Sequence, residues 1–330
     1  IADGYQVRPA SFDDLPQAVA MFNAAEMERT GVGDWPIEMF HKSWQQPGFD
    51  LATSTRLVAA PDGSIVGFVE LWDEFDPPAN PWIWQRIHPL WHGSGAGYAL
   101  LAWAIDTSQR ALDRLPADAR LAPKIGVPST HKPSIELYES MGMAPCRYSW
   151  RMLIDLHEPV PEPHWPAGIH VRPLRYPEDL EATFLAEEEA FEEHWGYVKR
   201  PFEETFAHWK YQNFEVSGLK PELWFLALEG DQIAGLINSQ ERSPMDAHKG
   251  WIPNLGVRKA YRRRGLGQAL LLHTFRALQQ RDVPAAYLFV DAANKTGATR
   301  LYQRVGMRVE LEITYYEIEL RPGRDLAVAD

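Results

Sequence analysis

The hydrophobic pattern of residues 169–320 changes period along the chain, and each change predicts an element. A short strand ends at Val171-Arg172. Pro177 then opens a helix with Leu180, Phe184, Leu185 and Phe191 as its apolar positions. The runs "LWFLAL" and "IAGLINS" flank Glu229-Gly230-Asp231, a turn signal joining two hairpin strands. "GWIPNLGV" reads as a strand broken by Pro253, whose missing N–H suits a bulge or a splayed edge better than a central ladder position. Leu266, Leu270, Thr274, Ala277 and Leu278 lie on one face of a helix. "AAYLFV" is a buried strand, "NKTGATRLYQRV" a helix and "ELEITYYEIEL" a closing strand. The order β–α–α–β–β–β–α–β–α–β places the chain in the α/β class.

That order is written twice. "YQVRPASFDDLPQAVAMFNAAE" returns as "IHVRPLRYPEDLEATFLAEEEAF", and "RLVAAPDGSIVGFVE" as "WFLALEGDQIAGLINSQ". "IHPLWHGSGAGYALL" aligns without gaps on "VRKAYRRRGLGQALL", pairing Gly95 and Gly97 with Gly265 and Gly267. "HKPSIELYESMGM" matches "KTGATRLYQRVGM", pairing Tyr138 with Tyr302. Between the copies "LHEPVPEPHWPAG" holds four prolines in thirteen residues and reads as a stiff linker. The expected organisation is a first domain at 1–155, a Pro-rich linker at 156–168 and a second domain at 169–330.

Composition narrows the function classes. With 330 residues, 45% hydrophobic and 24% charged, each half can build an ordinary core. The balance of 33 Lys+Arg against 45 Asp+Glu, net −12, disfavours a nucleic-acid partner, because such affinity comes mainly from phosphate neutralisation. The lone Cys146 allows no internal disulfide and suits a reducing cytosol. No apolar run approaches the roughly 20 residues that span a bilayer, and the start shows no basic and apolar leader pattern. A cytoplasmic protein without membrane partner is expected. The 11 histidines form no HExxH or Cys/His cluster, so no metal is expected either, and there is no G-x-S-x-G elbow.

Against this acidic background "VRKAYRRRGLGQALLLHTF" concentrates positive charge between a strand and a helix. A helix N-terminus offers unpaired N–H groups and the positive end of its dipole. Glycines at 265 and 267 would let a pyrophosphate approach the backbone, and Arg262, Arg263 and Arg264 could add charge-assisted contacts. Alone, the glycine pair fits a plain strand-to-helix turn better than a phosphate site.

Here the sequence resembles the GNAT superfamily of N-acetyltransferases. The family signature Arg/Gln-x-x-Gly-x-Gly/Ala is matched by Arg262, Gly265 and Gly267. A second element is matched by Asn294, Leu301-Tyr302 and Gly306-Met307. The resemblance implies two tandem GNAT-like domains, each a mixed, splayed β-sheet flanked by helices. It also implies acetyl-CoA as acyl donor, with its pyrophosphate over Arg262, Arg263, Arg264, Gly265, Leu266 and Gly267 and its pantetheine beside 250–257. Catalysis is expected in the second copy, because the first has His92-Gly93-Ser94 in place of the arginines and Thr130 in place of Asn294. The two-copy layout with a degenerate first half is similar to that of the mycothiol synthase family.

The implied reaction is acetyl transfer to the primary amine of a small molecule. Tyr302 is the candidate acid for the departing thiolate, by motif match. Backbone N–H groups of Leu255, Gly256 and Val257 are candidates for the oxyanion. No carboxylate stands on the strand "GWIPNLGV". Glu192, Glu193 and His194 are the candidate base region, with Asp246 and His248 upstream, and a solvated acidic face is the alternative reading. Trp195, Tyr197 and Trp209 would suit a cationic acceptor. A non-catalytic acyl-CoA-binding or regulatory module remains the rival from another class. The sequence does not give the oligomeric state.

Overall fold

In a computed structural model that describes residues 3–294 and 297–327, the chain runs twice through one succession of elements. The first repeat comprises β1 (Gln6–Arg8), α1 (Leu15–Thr30), α2 (Ile37–Trp44), α3 (Leu51–Ser54), β2 (Thr55–Ala59), β3 (Ile65–Trp72), β4 (Trp82–Ile87), α4 (Ala96–Ser108), β5 (Lys124–Pro128), α5 (Lys132–Ser140) and β6 (Ala144–Asp155). The second comprises β7 (Ile169–Pro173), α6 (Leu180–Phe191), α7 (Phe202–Lys210), β8 (Trp224–Glu229), β9 (Gln232–Asn238), β10 (Gly250–Trp251), β11 (Leu255–Val257), α8 (Leu266–Gln279), β12 (Ala285–Asp291), α9 (Ala298–Arg304) and β13 (Arg308–Glu317). Lys295 and Thr296, within the expected helix "NKTGATRLYQRV", lie outside the described residues. Among the described residues no helix is long and apolar enough to cross a membrane.

The chain forms two compact units whose limits cut through strands. The first takes residues up to Tyr148 together with those from Ile313, and the second takes Ser149–Glu312. In the first, strands run β1-β2-β3-β4-β5-β13, with Ile313–Glu317 antiparallel to β5. In the second, Ser149–Asp155 of β6 lies antiparallel to β12, and a separate sheet runs β11-β9-β8-β7. Each unit therefore contains the strand that closes the other sequence repeat. Boundaries drawn at 1–155, 156–168 and 169–330 follow the repeat, whereas the compact units follow where the chain packs most densely on itself.

The segment 156–168 is docked rather than free. Leu156 and Val160 are buried in the second unit's core. The Gln279 amide donates to the carbonyls of Leu156 and Glu158, each at 2.7 Å, and Arg276 donates to that of Val160 at 3.0 Å. Its prolines lack donors, so this strap gives α8 mainly acceptors.

The apolar stripe of α8 is buried as its spacing predicts, with Leu266, Leu270, Thr274, Ala277 and Leu278 all inside. In α6, Leu180 and Phe184 are buried but Leu185 is 50% exposed. The buried face instead passes through Thr183, Ala186 and Ala190, with Ala190 packed close to Gly256.

Pro253 marks the loss of a partner. Gly250–Trp251 pair parallel with β12, while Leu255–Val257 pair antiparallel with β9. On the β9 side the pairing persists, since Trp251 exchanges hydrogen bonds with Gln240 just beyond β9, so the strand parts only from β12 and the resulting fork opens a cleft.

Candidate active site

The cleft in the second unit has a volume of about 610 Å³. Its walls bring together Leu255, Gly256, Val257, Arg262, Arg263, Gly265, Leu266, Gly267, Asn294, Tyr302 and His194. Arg264 and Glu193 do not line it. Arg264 donates to Glu229 at 2.9 Å, and Glu193 accepts from Arg262 at 2.7 Å and pairs with Lys259 at 3.1 Å.

Gly265 sits at φ +86° immediately before α8, in the left-handed region that favours glycine. The first helical bond it accepts comes from Ala269, so the amides of Leu266, Gly267 and Gln268 lack intrahelical acceptors, at the positive end of the helix. Gly267 is small for another reason. A Cβ there would stand 3.1 Å from the Leu301 side chain on α9.

The three arginines have separate places. Arg262 does not reach into the cleft as a free cation. Its guanidinium donates to the carbonyls of Val257 and Ala190, each at 3.1 Å, besides binding Glu193, and so ties the loop to the end of α6. Arg264 stays on the rim, over the Tyr261 ring. Arg263 lines the cleft at φ +61° with no carboxylate partner among the described residues.

Along β11 the antiparallel ladder alternates. Asn238 donates to the Asn254 carbonyl and Arg258 to that of Ala234, which makes Gly256 the intervening bonded residue. The N–H groups of Leu255 and Val257 therefore turn away from β9, and the Val257 carbonyl, on that same side, accepts from Arg262. Gly256 serves packing instead, since a Cβ would meet that of Ala190 at 3.0 Å.

Tyr302 lies on α9, 7% exposed and lining the cleft. Burial pushes its phenol up to about 12, so it is protonated at neutral pH. Asn294 caps the approach to α9, its Oδ1 accepting from Ala298 at 3.4 Å. His194 packs edge-on against Phe191, with ring centroids 4.7 Å apart. The Glu193 carboxyl is held below its usual value by hydrogen bonds from Arg262 and Lys259, opposite to the shift a general base needs. Asp246 is paired with Lys249 at 3.0 Å.

The fold singles out a carboxylate that the sequence reading passed over. Glu187, half-buried one turn before Ala190 and Phe191 on α6, lies behind the cleft wall rather than in it, and desolvation pushes its carboxyl up to about 7. Its Oε1 accepts from the Trp209 indole at 3.3 Å and from the Asn254 amide at 3.2 Å, at the fork of the strands. Its Oε2 is buried without a hydrogen-bond partner among the described residues. Trp209, expected among the acceptor aromatics, is instead 9% exposed and packed against Phe184 and Trp224. The one signal for Glu187 in "AEEEAFEEHW" is helical phase, which puts it on the face shared with Ala190, Phe191 and His194.

The first unit treats its equivalent fork differently. β4 pairs with β5 only at Trp82 and Ile83, so these strands also diverge. Across the gap the Gln85 amide donates to the Gly97 carbonyl at 2.7 Å, and Arg29 reaches the Gly126 carbonyl at 3.4 Å. Glu26 forms a buried pair with Arg86, and Glu28 meets His92 and His131.

Comparison with known proteins agrees with this geometry. A family model described as the acetyltransferase (GNAT) family matches residues 19–143 and again 180–307. A mycothiol acetyltransferase of Thermobispora bispora is 29% identical over 274 residues, covering 80% of this chain and 84% of the relative. One from Streptomyces bingchenggensis is 29% identical over 276 residues, covering 80% and 79%. A GCN5-related N-acetyltransferase from Sphaerobacter thermophilus superposes with a TM-score of 0.80 at 32% identity, over 98% of each chain. A tandem GNAT protein from the clavulanic acid biosynthesis pathway shares the fold, with a TM-score of 0.71 at 15% identity over 97% and 100%. Matched twice over most of its length, the chain is an acetyltransferase that belongs to the GNAT family.

Proposed function

We propose that this acetyltransferase carries the acetyl group of acetyl-CoA to the primary amine of a small molecule, and does so in the cleft of the second unit. The observation that carries this reading is one cleft lined by open amide donors, an unpaired cation and a buried phenol. The amides of Leu266, Gly267 and Gln268, with Arg263, suit a pyrophosphate. The N–H groups of Leu255 and Val257 suit the pantetheine amides and the oxyanion that forms on the thioester carbonyl.

In the transfer step the amine nitrogen bonds to the acetyl carbon as the C–S bond breaks. The proton lost by the amine goes to a base and the thiolate takes one from an acid. Tyr302 is the acid, neutral at working pH and beside the donor site. Glu187 is the base in place of Glu193. A carboxylate with a value near 7, bonded to Asn254 at the fork but not itself lining the cleft, accepts the proton through a water. His194 then lines the wall between donor and acceptor.

A screen of amines for CoA release tests the assignment. The likeness to mycothiol acetyltransferases puts mycothiol-type acceptors first. Stoichiometric acetyl-CoA binding with no release for any amine would return the chain to a non-catalytic binding role.

A further inference from the structure

We infer that the first unit holds a transition-metal site of the Zn²⁺ type, built from Glu28, His92 and His131. The three side chains come from the end of α1, the loop before α4 and the residue before α5. Their ligand atoms lie within 4.8 Å of one another. The Nε2 atoms of both imidazoles converge on one oxygen, Oε2 of Glu28, at 2.7 Å for His92 and 3.2 Å for His131. Ligands on a tetrahedral ion with bonds of ~2.0–2.1 Å stand about 3.3 Å apart, so an ion enters once the 2.7 Å His92–Glu28 contact opens and the three atoms, now within 4.8 Å of one another, adjust to that spacing.

The surroundings match a ligand set rather than a chance contact. His131 is 8% exposed, and its other ring nitrogen lies 3.0 Å from the Ser134 hydroxyl. With Nδ1–H donating to that hydroxyl, the Nε2 lone pair is turned toward Glu28, the outer partnership that orients metal-bound histidines. Glu28 and His92 have side chains about one-third exposed, which leaves a path for entry and a fourth position for water. Two imidazoles and a carboxylate favour Zn²⁺ and its neighbours over the all-oxygen sets of Ca²⁺ or Mg²⁺.

The internal repeat supplies an independent argument. His92 stands where Arg262 stands, and Glu28 falls at the position of Glu193 when both are counted from the first residues of their helices. In the second unit a guanidinium ties the loop to the helix end through that glutamate. In the first His92 replaces that guanidinium, two imidazoles surround the equivalent carboxylate, and Arg29 stands behind them on the Ser134 hydroxyl at 3.4 Å. A bound dication restores the missing charge and the tie. The expectation of no metal rested on spacing along the chain, which does not register residues as far apart in sequence as these three.

The test uses the full chain without a histidine tag, stripped with EDTA. Titration with Zn²⁺ should give one site per chain and a rise in Tm that EDTA reverses. Co²⁺ should give the visible bands of a four-coordinate site. Ser134→Ala should weaken binding by about 10–100-fold, and His92→Ala or His131→Ala by more. Should His131→Ala fail to fold, His92→Ala, at a part-exposed position, carries the test, and X-ray absorption on the wild type should count two imidazole nitrogens. Absence of Zn²⁺ binding, or binding unchanged in a Glu28→Gln/His92→Ala variant, would overturn the assignment.

Discussion

The two units share an element order and a fork between strands, yet one fork is open and the other is filled. In the second, Phe191 packs on Gly256 and Leu255 turns its amide to the cleft. In the first, the corresponding places hold Glu26 paired with Arg86, Gln85 bonded to Gly97, and Arg29 reaching β5. The phosphate loops diverge in the same way. Ser94 caps the Ala96 amide at 3.3 Å, a donor that in the second unit, at Leu266, is left for a ligand. The carboxylates also differ. Burial raises Glu70 to about 7, as it raises Glu187, but two tryptophan indoles occupy both Glu70 oxygens. A cleft can take a ligand where its polar groups are left open, and in the first unit side chains of the chain itself occupy the corresponding places.

The sharpest break of this comparison is the tyrosine pair. Tyr302→Phe should lower kcat by about 10²–10⁴-fold with acetyl-CoA affinity kept, whereas Tyr138→Phe, 1% exposed in the first core, should leave turnover unchanged. Steady-state rates and calorimetric titration decide it. Equal losses would mean two working sites.

Next come the carboxylates. Glu187→Gln should cost about 10²-fold in kcat, near the lower end of general base catalysis. Glu187 works as the carboxylate, so wild-type kcat should rise with pH through about 7, and that limb should vanish in the variant but persist in Glu70→Gln. The sign for stability is opposite. With the folded value above the unfolded one, the native state keeps its proton longer, and stability should fall between roughly pH 4.5 and 7. Glu187→Gln should flatten that part of a Tm–pH curve.

A smaller effect is expected from Arg263→Gly, which installs the residue that the first unit carries at the equivalent Gly93, φ +78°. Losing a charge-assisted contact should weaken acetyl-CoA by about tenfold or somewhat more. Relief of the left-handed backbone should at the same time raise stability by about 1 kcal/mol. Smallest of all, Glu193→Gln should leave kcat and acetyl-CoA affinity near wild type, because its ion pairs are exposed. A loss as large as that of Glu187→Gln would move the base to Glu193.

What was legible in the sequence was local. Pro253 announces the fork and Gly265 the left-handed turn before α8, because each states a backbone constraint at its own position. Tyr302 and Asn294 were reachable through the repeat and the family motif. Glu187 was hidden in an acidic run, where only its buried Oε2 and its bonds from Trp209 and Asn254 separate it from its neighbours. Arg262 read as a ligand contact because its charge is visible in sequence, whereas the carbonyls that hold it are not. The pairings of β6 and β13 were out of reach for a related reason. A strand's alternation records which face is buried, not which copy supplies the neighbour.

Those two strands bear on heredity. Duplication ordinarily leaves a spare that can decay and be deleted. Here Met152 and Ile154, encoded by the first copy, sit in the core of the second unit, and Tyr316, encoded by the second, sits in the core of the first. A deletion that removes the filled copy also removes a wall of the open one. The first repeat is thus tied to the lineage of the second whatever chemistry it has lost, and mutations there are screened by the stability of its twin.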